Sequence, residues 1–299
     1  MRRRHRSTLL AALLALAVPA AALSAVAAPA AADPAGARAE APLRYVALGD
    51  SFSAASGVLP PDLTAPALCQ RSTRNYPHVI ARRTGARLTD VTCGGAETGD
   101  YFAAQYPDAP RQLDALDERT QLVTMTIGGN DGGVFVGAIA RCGALGAASL
   151  GQGSPCRDTF GSELVDQVRS ETYPALVRTL RATHRAAPRA RVAILGYPQL
   201  LPRRVGCYPQ MPIARGDVPY LRNLQAVLNA GVRRAARLTG STYVAIPAAS
   251  EGHDACQAPG VRWIEPVVGG TNPVVVHPNA FGEARMATLT MQRLGLRRG

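Results

Sequence analysis

Five short apolar runs punctuate the chain, at residues 45–48, 88–92, 122–127, 192–195 and 243–246. Each has the length and the aliphatic or β-branched content of a strand buried on both faces. Between them lie stretches with apolar residues at helical spacing: 75–83, a long amphipathic one at 162–184, 218–238, and 279–294 at the end. Strands alternating with helices imply right-handed crossovers, so the pattern predicts one α/β domain on a five-stranded parallel sheet covered on both faces. Three stretches fit neither period and read as long loops. Residues 132–161 are rich in Gly, Ala and Ser, 197–216 are rich in Pro, and 248–276 carry Trp263, the single tryptophan. Such loops are uncommon without a role. All three follow strands, so all should rise on the carboxyl-end rim of the sheet. No internal repeat and no second domain is evident.

The amino terminus changes the picture. Arg2, Arg3, Arg4 and Arg6 precede an apolar core at 9–18, and small residues end at Ala30-Ala31-Ala32 before Asp33. Residues 1–32 therefore read as a secretory signal peptide. Their apolar part is too short and Ala-rich for a membrane span, and no other stretch is a candidate. Residues 33–42 read as a flexible leader and 43–299 as the folded domain. Taking 32 residues from 299 leaves 267, enough for one full core. The formal charge of +12 falls to +8 with the four leading arginines removed. No basic residue is a lysine, a compositional bias more than a binding device. Arg82-Arg83, Arg203-Arg204 and Arg233-Arg234 are scattered pairs without interleaved aromatics, so nucleic acid is not an expected partner. A solvated basic surface remains, with at most a mild attraction to anionic lipid or polymer.

Cys69, Cys93, Cys142, Cys156, Cys207 and Cys256 make an even set behind a signal peptide, which argues for three disulfides among fifteen possible connectivities. The sequential pairing would staple each of the three long loops locally. No CxxC pair or Cys/His cluster has zinc spacing, so no metal is called for.

In an open α/β sheet, ligands bind outside the carboxyl ends of the strands. Four such ends carry notable groups. Gly49-Asp50-Ser51 follows the first strand and puts a hydroxyl where the backbone leaves the sheet; alone, that Ser reads as a helix cap. Gly94-Gly95 follows the second and can expose an N–H. Gly128-Gly129-Asn130-Asp131 follows the third and can aim a carboxamide into the crevice. The fifth strand leads through its loop to His277-Pro278, with Pro278 suited to the first helical position. A hydroxyl, a base and two donors are the parts that acyl transfer requires.

These residues resemble the GDSL or SGNH hydrolases, and the secreted actinobacterial lipases and esterases among them. Gly49-Asp50-Ser51 is similar to the family's first block, Gly95 to its second, Gly128-Gly129-Asn130-Asp131 to its third and His277-Pro278 to its last. The six cysteines and Gly252-His253-Asp254-Ala255-Cys256 also resemble the secreted branch. The resemblance implies a three-layer α/β/α flavodoxin-like fold, no metal or organic cofactor, and the sequential disulfides Cys69–Cys93, Cys142–Cys156 and Cys207–Cys256. It implies a nucleophile at Ser51, a base at His277, and an oxyanion hole from the Ser51 and Gly95 N–H groups and the Asn130 amide.

One departure stands out. The family places an Asp three residues before the His, where this chain has Val274, and no carboxylate occurs from 267 to 276. A backbone carbonyl, that of Val274, is the expected partner of the His277 ring, as in members that work as a dyad. Asp254 or Glu265 folding back is the alternative. Trp263 would wall an acyl pocket or anchor its loop; Tyr101, Phe102 and Tyr106 would line an acyl groove or simply pack. Asp50 and Asp131 would hold turns, His253-Asp254 would form a satisfied loop pair, and His78 reads as structural. The expected protein is a secreted, extracellular, monomeric esterase or lipase that acts on small-molecule or lipid esters without stable membrane insertion. A polysaccharide O-acetyl esterase of the same mechanism, or a catalytically silent binding module, is the alternative.

Overall fold

The strands form where the apolar runs predict them: β1 (Arg44–Ala47), β2 (Arg87–Asp90), β3 (Leu122–Met125), β4 (Arg191–Leu195) and β5 (Thr242–Val244). The computed structural model describes residues 41–299. The signal-peptide segment and residues 33–40 of the leader lie outside the described residues. All pairings are parallel, in the order β2-β1-β3-β4-β5. That is the flavodoxin-like order, whose ligand crevice lies where the winding reverses, between β1 and β3. Both strands at this crevice are almost wholly buried, whereas the edge strand β2 alternates between exposed and half-buried positions.

The helices, in chain order, are α1 (Ser51–Ala54), α2 (Tyr76–Thr84), α3 (Val136–Ala148), α4 (Pro155–Phe160), α5 (Glu163–Gln167), α6 (Tyr173–Ala186), α7 (Val218–Thr239), α8 (Ile246–Ala249) and α9 (Ala280–Leu294). α2 and α9 cover one face of the sheet over Tyr45, Ala47, Leu122, Ala193 and Leu195. α6 and α7 cover the other over Val46, Leu48, Val123, Met125 and Ile194. This alternation of neighbouring strand residues between two cores makes the three layers. A third apolar cluster, from α3 to α5, the first half of α7 and the loops, caps the carboxyl-end rim around Phe52 and Tyr197.

Two expectations need correction. Residues 132–161 are not a loop, because they hold α3 and α4. The helical signal is there, with apolar or small residues at 136, 139, 140, 143 and 144, but Gly and Ala dilute it. The small residues have a packing reason: a Cβ on Gly146 would collide with the Pro212 carbonyl and lie 2.7 Å from the Ala214 nitrogen. The helix expected over 162–184 is also interrupted, by a π turn at Val168–Thr172. Pro174 follows in the first turn of α6; it has no N–H to give the preceding turn, and the ladder widens there.

All three disulfides form in the sequential pairing. Their placement differs from local stapling, which holds only for Cys142–Cys156. Cys69–Cys93 ties the segment after α1 to the end of β2, and Cys207–Cys256 joins the second long loop to the third.

Candidate active site

β1 delivers the chain to Gly49, whose φ of +122° turns it out of the sheet. A side chain there would strike the Thr126 backbone. Gln112 clamps this glycine with its amide, accepting from the Gly49 N–H at 2.7 Å and donating to the Gly49 carbonyl at 3.1 Å. Asp50 then caps α1 by accepting from the Phe52 N–H at 3.0 Å. Ser51 thus opens a short helix at the crevice, 5 % exposed.

From the far end of the chain, residues 265 and 276–277 bond as a short antiparallel pair: the Val276 N–H donates to Glu265 O and the Glu265 N–H to His277 O, each at 2.9 Å. Val276 adopts φ +60°, a conformation that costs a β-branched residue energy, and the turn carries His277 inward. His277 Nε2 lies 2.7 Å from Ser51 Oγ, and its Nδ1 lies 2.8 Å from the Val275 carbonyl. A carbonyl can only accept, so Nδ1 carries the hydrogen and Nε2 is the acceptor for the Ser51 hydroxyl. Burial lowers the pKa of His277 below 6.5, against the opposing pull of the Val275 carbonyl. The imidazole is therefore neutral near pH 7.

The partner of the ring is the Val275 carbonyl and not that of Val274, a one-residue correction. The turn at Val276 is what presents residue 275 to the ring. Neither carboxylate reaches His277. Asp254 accepts from the Cys256 N–H and Gln257 Nε2. Glu265 accepts from Arg262, the Thr271 N–H and Asn279.

The three expected donors sit on the loops after β1, β2 and β3. The Ser51 and Gly95 N–H groups donate to no acceptor among the described residues. Asn130 Nδ2 donates one hydrogen to Ala96 O at 3.0 Å, which stretches its amide from the β3 end to the β2 end and leaves the second hydrogen free. Asp131 holds that arrangement by accepting from the Thr98 N–H and hydroxyl, both at 2.9 Å.

Sequence reasoning missed the residues that join these loops. Tyr197, directly past the end of β4, donates to Asp50 Oδ2 and accepts from the Gly129 N–H at 2.9 Å. Its ring takes the space a Gly129 side chain would need. Thr126 donates to Asp50 Oδ1 at 2.6 Å and is itself bonded to Ser53. Asp50 is 1 % exposed, and burial raises its pKa to about 6 despite these bonds. The strand-end rule that selected Ser51 and Asn130 would also have selected Tyr197.

The model of the GDSL-like lipase/acylhydrolase family matches residues 47–285. The chain belongs to that family. Lipase 2 of Streptomyces coelicolor is 58 % identical over 264 residues, covering 88 % of this chain and 89 % of that one. The crystal structure of phospholipase A1 from Streptomyces albidoflavus superposes with a TM-score of 0.69 at 28 % identity, over 84 % of this chain and 98 % of that one. The extracellular lipase from Streptomyces rimosus gives the same score and identity over 85 % and 98 %. The chain is an ester hydrolase, which sets aside the silent binding module.

Like other members of the GDSL-like lipase/acylhydrolase family, it needs room for an acyl group. A cavity of about 430 Å³ opens beside His277, walled by Phe52, Phe135, Ile139, Leu200, Met211 and Ile213. The aromatics named from sequence are elsewhere. Trp263 is buried, stacks on His253 with ring centroids 4.8 Å apart, and anchors its loop. Tyr101 is buried with its hydroxyl on Met125 Sδ, Tyr106 packs on the sheet core, and Phe102 faces a hollow beside Arg178, Arg181 and Arg185. His78 bonds Asn75 and lies 3.3 Å from Asp90. Among the described residues no three His, Cys, Asp or Glu side chains converge as a metal ion would require, and no helix is long and apolar enough to cross a membrane.

Proposed function

We propose that this ester hydrolase is a secreted lipase or esterase that cleaves apolar acyl esters through a Ser51–His277 dyad. The observation that carries the reading is the 2.7 Å contact between Ser51 Oγ and His277 Nε2, with the Val275 carbonyl behind the ring. His277 takes the Ser51 proton as Oγ attacks the ester carbonyl. The Ser51 N–H, the Gly95 N–H and the free hydrogen of Asn130 hold the oxyanion. His277 then protonates the leaving alcohol, and water, activated by the same nitrogen, releases the acid from the acyl-enzyme. The carbonyl keeps the tautomer that the first step needs, without a third charged group.

The apolar walls of the cavity favour a lipid acyl group over the polar, aromatic-rimmed cleft expected of a polysaccharide O-acetyl esterase. The names lipase and phospholipase A1 on the relatives favour the same substrate class. Export rests on the signal-like residues 1–32, on the three disulfides and on the likeness to an extracellular lipase. The Ser, the His and every oxyanion donor come from one chain, which favours action as a monomer.

A p-nitrophenyl ester panel with fluorophosphonate labelling tests the mechanism. Ser51→Ala should lose both turnover and label, and Asn130→Ala should lower kcat by about 10²–10³. Turnover persisting in Ser51→Ala at near wild-type rate would overturn it.

A further inference from the structure

With an acyl ester as the substrate of the Ser51–His277 site, as proposed above, we infer that Ile213 is the stop of the acyl groove and sets its chain-length preference. α3 gives the groove its direction. Its first N–H, on Val136, donates to Gly129 O beside the oxyanion donors at 3.3 Å. From there the helix leads away, lining the groove with Val136, Ile139, Ala140, Gly143 and Ala144. Ala140 and Ala144 are exposed in the groove, so small side chains leave its floor open.

The far end is closed by the segment Met211-Pro212-Ile213. Pro212 lies across Gly143, where an added Cβ would come within 3.6 Å of its ring, and the Gly146 contact fixes the backbone behind it. The Arg215 and Gly216 N–H groups donate to Gly151 O and Gly153 O, both at 2.9 Å, which ties the segment to the chain after α3. Cys207–Cys256 holds its upstream side. Ile213, 2 % exposed, is therefore set on a backbone that cannot yield easily.

Ile213 is also a partition. It lines a second hollow of about 170 Å³ beyond the groove, walled by Leu150, Val205 and Tyr208 on its apolar side and by Gln152 and Arg215 on its polar side. Leu150 and Val205 are 73 % and 71 % exposed, apolar surface that no other segment of the described residues covers. Removing the Ile213 side chain would join the two spaces.

The length follows from the helix. The eight steps from Val136 to Ala144 advance about 12 Å. An extended chain covers three bonds in roughly 3.6 Å, so the groove takes an acyl chain of roughly ten carbons. Each added methylene should raise kcat/KM about fourfold up to that length and little beyond it.

The experiment is the ratio of kcat/KM for each p-nitrophenyl ester, from acetate to palmitate at monomeric concentrations, to that for the butyrate ester. A ratio does not depend on the fraction of folded enzyme. Wild type should level off near ten carbons, Ile213→Ala should keep rising to longer chains, and Leu150→Asp added to Ile213→Ala should remove that extension. Ala144→Leu, at an exposed helical position that accepts Leu readily, should level off at shorter chains. An active, folded Ile213→Ala whose plateau stays where the wild type's lies overturns the inference, whatever Ala144→Leu does. If Ile213→Ala does not fold, Ile213→Val decides: it shortens the same side chain by one carbon and should move the plateau to longer chains, and an unmoved plateau overturns the inference. Esterase activity that survives Ser51→Ala would instead count against the dyad.

Discussion

Replacing Tyr197 by Phe removes one oxygen that serves two loops while leaving the ring against Phe52 and Phe135. Asp50 loses its Oδ2 donor, and the buried Gly129 N–H loses its acceptor. The cost depends on pH because Asp50 titrates. Burial raises this carboxyl from 3.8 to about 6, a difference of about 3 kcal/mol in favour of the neutral form. For a raised pKa, the stability linked to the neutral group is fully present below the unfolded value near 3.8. It is lost as pH rises through the folded value near 6. The Tyr197 hydroxyl stabilises the ionised form, so Tyr197→Phe pushes the folded pKa higher still and carries the loss past pH 6. At pH 8 the missing bond is one to a carboxylate, worth about 1.5–3 kcal/mol; at pH 4 it is one to a neutral acid, worth about 0.5–1.5. The stranded Gly129 N–H adds about 1–3 kcal/mol at either pH. Urea unfolding of both proteins at pH 4 and pH 8, with m as the control on two-state behaviour, should give a penalty about 1–2 kcal/mol larger at pH 8. An equal penalty at the two pH values would show that Asp50 does not draw on this hydroxyl.

Three further outcomes follow from the geometry. Asp254→Asn and Glu265→Gln should each keep kcat within about tenfold of wild type, since His277 is oriented by a carbonyl. Glu265→Gln should still destabilise the fold by about 3–5 kcal/mol, because Arg262 and Glu265 are each 2 % exposed; a fall in kcat of several orders for either variant would restore a carboxylate to the mechanism. The acid limb of kcat/KM should lie below pH 6.5, because the base works only when neutral and burial holds His277 below its ordinary value. A limb at or above pH 7 would mean that a negative charge supports the imidazolium.

The strands and their parallel sense were legible because a strand buried on both faces is apolar wherever a polar group has no buried partner; in β3 only Thr124 is polar, and it bonds the Tyr45 hydroxyl. The rim groups were legible because fold geometry places strand ends together, whatever their separation along the chain. α3 was not legible: its Gly and Ala residues are chosen for the segment at 211–214 that lies on it, and a contact partner is invisible in a local pattern. The signal-like segment at 1–32 lies outside the described residues, so it rests on sequence alone.

The sequence by itself determined which groups sit at the ends of β1, β2 and β3 and before α9, because periodicity and turn chemistry are local. Only the tertiary structure decided what holds them. The φ of Val276 selects the Val275 carbonyl over that of Val274, and Tyr197 ties the Ser51 loop to the Gly129 loop. Ile213 closes a groove whose walls come from three separate segments. Each of these depends on a backbone angle or a long-range contact, which packing fixes only once the whole chain has folded.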